Sequence, residues 1–172
     1  MKLREQLDKI IHINKGENWW KPRLFKDITL PQLPKELKIL EFPPLKNNNY
    51  NCFIHTLGLS KDVGIIKNSG GFIYDTFFQK LIDKKALIPT DHPKNGDYIL
   101  YRDSQNYPDK ITHSGVLDNG KVVSKWAWGP LLCHDVFDVP ASYGDEISYI
   151  KAVDHKKARD LYWKYKKFNK LP

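Results

Sequence analysis

The sequence predicts an α+β fold, and three observations carry that prediction. Apolar residues recur at helical spacing near the N-terminus and again between residues 72 and 84. Between residues 97 and 152 the pattern changes to short β-branched and aromatic segments separated by turn residues. Residues 153–172 return to helical spacing. N-terminal helices, then a small antiparallel sheet, then a C-terminal helix is an α+β order.

Each element has its own signal. Leu3, Leu7, Ile10 and Ile11 share one side of a short helix over residues 3–13. From Gly16 to Leu45, a stretch that also holds Trp19 and Trp20, the prolines at 22, 31, 34, 43 and 44 forbid a long helix and predict an extended arm wrapped on the domain. The polar run before Cys52 leads into a short helix, Cys52–Leu59, weakened at its end by Gly58 and Ser60. Phe72–Lys84 is a second helix with Ile73, Phe77 and Leu81 inward. Strands are expected over 97–103, 111–117, 121–128 and 146–152, with Asn119-Gly120 as a hairpin turn. Residues 132–137 read as a short strand or an irregular link before Pro140. Ala158, Leu161, Tyr165 and Phe168 form the inner stripe of a terminal helix whose lysines face water. No linker or repeat interrupts residues 1–172, so a single domain is expected: an arm over 1–46, a core over 47–152 and a basic helix over 153–172.

Composition narrows the function. A hydrophobic fraction of 41% excludes general disorder, and no run of about 18 apolar residues offers a membrane span. The stretch MKLREQLDKIIHINKGE has no apolar core of a secretory signal, so the expected location is cytoplasmic, or exported without a cleaved signal peptide. Residues 151–172 hold eight Lys or Arg against Asp154 and Asp160, a net +6 of the whole chain's +8. That tail is a candidate for weak, salt-dependent attraction of an anionic partner. Cys52 and Cys133 form no CxxC, and neither Cys52/His55 nor Cys133/His134 has a standard ligand spacing. No disulfide, metal or cofactor is expected. His12, His92 and His155 sit in charged or turn-like surroundings, and Cys133 lies in an apolar run.

The chemistry gathers elsewhere. With Asn119 and Gly120 at the turn, Leu117 faces Val122, Gly115 faces Ser124 and His113 faces Trp126, so His113, Ser124 and Trp126 share a sheet face. A loop one residue longer or shorter would set Lys125 opposite His113. Cys52 opens a helix, where the dipole favours its thiolate, and its own N–H is a natural oxyanion donor. A sheet histidine packed against that helix pairs with the thiolate, and a third group fixes the ring. Ser124 is that third group, with His134 as the alternative. Asn51, Trp126 and Trp128, with Tyr143 nearby, are candidates to line a substrate cleft. His55, one turn beyond Cys52, either tunes the thiol or simply packs.

Cys52 after a polar loop, Gly96-Asp97 opening a strand, and His113-Ser-Gly-Val before the Asn-Gly hairpin together resemble the NlpC-type and CHAP-type cysteine peptidases and amidases of the papain-like group. The resemblance spans roughly residues 47–152. It implies a papain-like core and a cysteine hydrolase cleaving an amide or peptide bond, on peptidoglycan or a protein, with Cys52 as nucleophile and His113 as general base and acid. Two departures stand out. The nucleophile reads Asn51-Cys52-Phe53-Ile54 where the family has Asp-Cys-Ser-Gly, and the orienting position holds Ser124 instead of His, Asn or an acid. The competing reading is a catalytically inactive papain-like binding module that uses the aromatic cleft and the basic tail.

Overall fold

A computed structural model describes residues 3–11, 21–44 and 49–170. His12, Trp19, Trp20 and the first two asparagines of the 47–51 run lie outside the described residues. Helix α1 (Leu3–Ile11) buries Leu7, Ile10 and Ile11 as its periodicity requires.

The proline-rich arm differs from expectation. It holds a single helical turn, α2 (Pro22–Leu24), a π-helical turn Phe25–Thr29 and a 3-10 turn Leu30–Gln32 before strand β1 (Lys38–Glu41). Pro22 and Pro31 each fall at the start of a turn, where a missing N–H costs nothing, so they begin short helices without extending the chain.

Helix α3 (Cys52–Thr56) is followed by α4 (Val63–Ser69), which periodicity did not reveal. Its signals were punctuation: Asp62 Oδ1 accepts the Ile65 N–H at 3.0 Å, and Gly70 at φ +62° ends the helix. Helix α5 (Asp75–Asp83) buries Phe77, Phe78 and Leu81. The strands are β2 (Tyr98–Asp103), β3 (Tyr107–Asp118), β4 (Lys121–Lys125), β5 (Leu131–His134) and β6 (Glu146–Ile150). Helix α6 (His155–Tyr165) starts at Asp154, whose carboxylate accepts the Lys157 N–H at 2.8 Å. Its deepest residues are Ala158 and Tyr162, with Leu161 and Tyr165 packed at the margin.

The six strands form one antiparallel sheet in the order β1-β5-β4-β3-β2-β6. Strand alternation divides the core in two. Tyr98, Leu100 and Ile150 face α3, α4, α5 and α6. Ile99, Tyr101, Val122, Trp126 and Leu132 face α1 and the turn containing Phe25. The chain is therefore an α+β protein with helices on both faces of the sheet. Among the described residues, no helix is long and apolar enough to cross a membrane.

Candidate functional site

The hairpin register follows from its turn. Asp118 pairs with Lys121, Leu117 with Val122 and Val116 with Val123. Asn119 (φ +49°) and Gly120 (φ +79°) both occupy the left-handed region of a type I′ turn. Continued outward, this register sets Gly115 against Ser124, Ser114 against Lys125 and His113 against Trp126. A Cβ on Gly115 would stand 2.6 Å from Val122 Cγ1 and 3.0 Å from Ser124 Cβ, so only glycine fits.

Cys52 is the first residue of α3, and Asn51 builds that start. Asn51 Oδ1 accepts the Ile54 and Ile73 N–H groups at 3.3 Å each, and its Nδ2 donates to Ile73 O at 2.7 Å. Asn51 was expected to line the cleft; with its side chain consumed by these bonds it is buried, and clamps the loop to residue 73 instead. The Cys52 sulfur turns towards β3, where the Ser114 hydroxyl and main-chain N–H favour its thiolate. The Ser114 hydroxyl is also bonded to Thr56 Oγ1 at 2.8 Å, one helical turn beyond Cys52.

Burial nevertheless pushes the Cys52 thiol up to about 11, against the lowering pull of those Ser114 donors and the N–H groups at the helix start. The activated thiolate expected from the sequence is therefore absent from the resting protein. Helix α3 has five residues, too short for a strong dipole, and only 7% of Cys52 is exposed.

His113 lies opposite Tyr101 of β2 and shares its sheet face, away from Ser114 and α3. Its ring stacks on Tyr143 with centroids 4.1 Å apart at 26°. Its Nε2 is buried without a hydrogen-bond partner, and burial holds its pKa well below the usual histidine range. No hydrogen bond among the described residues joins His113 to Cys52 or to Ser124. What connects the pair is Tyr143. Its ring covers His113, while its hydroxyl is bonded to the Ala127 main chain and feels the charge of Cys52. Burial, then Cys52, raise the Tyr143 pKa.

The orienting residues also differ from expectation. Ser124 Oγ lies 2.8 Å from His134 Nε2, Trp126 Nε1 donates to Ser124 Oγ at 3.2 Å, and His134 Nδ1 is 2.7 Å from Asp135 O. A carbonyl can only accept, so Nδ1 carries the proton and Nε2 accepts from the serine. Pairing of β4 with β5 sets His134 across from Val122, diagonal to Ser124, and this closes the chain away from His113. Burial, outweighing the Asp135 contacts, lowers His134 to about 4.

Trp126 and Trp128 part company. Ala127 at φ +50° breaks the strand after Lys125, so Trp126 is fully buried core instead of cleft wall. Trp128 lines a cavity of about 440 Å³ with Asn49, Val63, Ile66, Lys67, Gly70 and Gly71.

Lys125 is a feature that sequence reasoning did not assign. It faces α3, is 1% exposed, and holds Nζ 4.6 Å above the Tyr50 ring. Burial lowers Lys125 to about 8, and burial followed by the Lys125 charge lowers His55 to about 4. His55 itself stacks on Tyr50, the packing role left open for it. The signal available was Lys125 placed among apolar neighbours on a strand.

Among the described residues, no group of three or more His, Cys, Asp or Glu could hold a metal ion. No family model, curated protein or solved structure matches this chain.

Proposed function

We propose that the chain is a cysteine hydrolase of papain-like architecture that cleaves an amide or peptide bond, with Cys52 as nucleophile and His113 as general base. One observation carries this reading. Among the described residues, the buried side-chain polar atoms without a partner are Asn49 Oδ1, His113 Nε2 and Trp128 Nε1, and the His113 atom belongs to a ring stacked on Tyr143, which also feels the charge of Cys52. Such orphans each cost about 1–3 kcal/mol and call for an explanation, of which a ligand or catalytic role is one.

The resting pair is thiol and neutral imidazole. As substrate displaces the Tyr143 ring, Cys52 attacks the carbonyl carbon and its proton passes to His113 Nε2. The amine leaves with that proton as the C–N bond breaks. Water then attacks the thioester, giving a proton to His113 and releasing the acid; the proton returns to the Cys52 sulfur. The motif resemblance makes a peptidoglycan stem peptide or a protein the substrate class.

A second reading has its own observation in support. The raised Cys52 thiol and the missing Cys52–His113 hydrogen bond suit an inactive binding module, with the exposed lysines of α6 meeting an anionic partner. A peptidyl chloromethyl ketone separates the two in the Cys133→Ala background. The hydrolase labels at Cys52 at least about tenfold faster with this reagent than with iodoacetamide at pH 7, and loses that advantage in His113→Ala. Equal, slow labelling that ignores His113 sinks the hydrolase.

A further inference from the structure

We propose that the cavity between α4 and Trp128 is an amide-binding subsite for a peptide carrying an apolar side chain. The inference deepens the hydrolase reading by naming the ligand class, and its test does not require catalysis.

Two polar atoms in the cavity walls have no partner among the described residues. Asn49 contributes an acceptor, Oδ1, and Trp128 a donor, Nε1; both are shut from water, unpartnered, and belong to residues that line this one cavity. Indole N–H is a donor only, so a protein group that would satisfy it must accept, and the carboxamide oxygen must be met by a donor. An amide supplies both in one planar unit: its N–H for Asn49 and its C=O for Trp128. A carboxylate satisfies only Trp128, and an ammonium only Asn49.

The remaining walls set the neighbouring group. Val63, 79% exposed, and Ile66 are apolar, and the Trp128 ring is supported edge-on by Phe72 with centroids 6.3 Å apart. Gly70 has no atom within 4 Å of where a Cβ would stand, which leaves open room for a ligand side chain. Gly71 lets the Asn49 main chain pass closely; a Cβ there would stand 2.0 Å from the Asn49 carbonyl oxygen. The Asn51 N–H bonds Gly71 O at 3.0 Å, so the same backbone joins the cavity to the residue before Cys52.

The test uses the full chain carrying Cys52→Ala and the probe N-acetyl-leucine N-methylamide, followed through the Trp128 indole N–H signal, identified by its loss in Trp128→Phe. The expected result is a saturable shift of that signal and at least about tenfold weaker binding in Asn49→Leu, with binding retained in Asn49→Asp, which keeps the acceptor. The analogue with esters in place of both amides, lacking every N–H, should bind no better to the parent protein than the amide binds to Asn49→Leu. An indole signal that stays still at millimolar amide in a folded protein overturns the subsite, as does equal binding of ester and amide. Failure of the hydrolase is read separately, from chloromethyl ketone labelling of Cys52: a subsite that binds amide beside an unreactive Cys52 leaves this inference standing and removes the enzyme.

Discussion

The two faces of β3 at residues 113 and 114 make an instructive pair. On one side Ser114 meets Cys52 and Thr56, and its hydroxyl is bonded. On the other side His113 lies beneath Tyr143 with Nε2 unpaired. The residues are adjacent in sequence and buried alike, yet one is satisfied and one is not. Burial alone does not account for the difference, because the neighbouring Ser124–His134–Trp126 chain shows that the His113 face pairs its polar groups where they serve only structure. An orphan beside a closed chain calls for an explanation that packing alone does not supply.

Acid should break this contrast most strongly. Burial lowers His55, His113 and His134, so each binds a proton more readily in the unfolded chain. For His55 and His134, lowered to about 4, stability is complete above about pH 6.5 and is lost as the pH falls towards about 4, at about 1.4 kcal/mol per unit for each, and His113 acts in the same direction. Thermal melts between pH 7 and 4 should show a steep fall, made shallower by His55→Gln; a flat profile would remove the account of these buried neutral rings.

Next in size is Gly115→Val, which forces β3 and β4 apart where Val122 and Ser124 leave no room. A loss of about 3 kcal/mol or more is expected in urea unfolding. The smallest effects compare the two hydroxyls. Ser124→Ala strands both His134 Nε2 and Trp126 Nε1 and should cost about 2–3 kcal/mol, whereas Ser114→Ala strands the Thr56 hydroxyl and removes a donor from the Cys52 sulfur, a weak acceptor, and should cost about 1 kcal/mol. Equal losses in denaturant titrations would mean that the closed chain around Ser124 contributes nothing beyond a single hydrogen bond.

Much of the frame was legible because its signals are local. Asn119-Gly120 can adopt two consecutive positive φ angles cheaply, and that alone sets the register that places Gly115 against Ser124. Asn51 was visible as the residue before a helix, though not as a clamp on residue 73, because its partners lie 22 residues away. Helix α4 and strand β1 escaped notice: α4 is short and carries one buried apolar residue, and β1 takes its place by pairing with β5, far along the chain.

The sequence by itself determined the α+β order, the hairpin and its register, and the start of a helix at Cys52, since each rests on backbone preferences within a few residues. Only the tertiary structure decided which face α3 covers, that β5 brings His134 to Ser124, that Ala127 sends Trp126 inward and Trp128 to the cavity, and that Tyr143 stands against His113. Those outcomes depend on pairing between distant segments and on how far water is excluded, and no local pattern encodes either. Exclusion of water also reversed the expected state of Cys52: the cost of burying a thiolate exceeded what a five-residue helix and the Ser114 donors return.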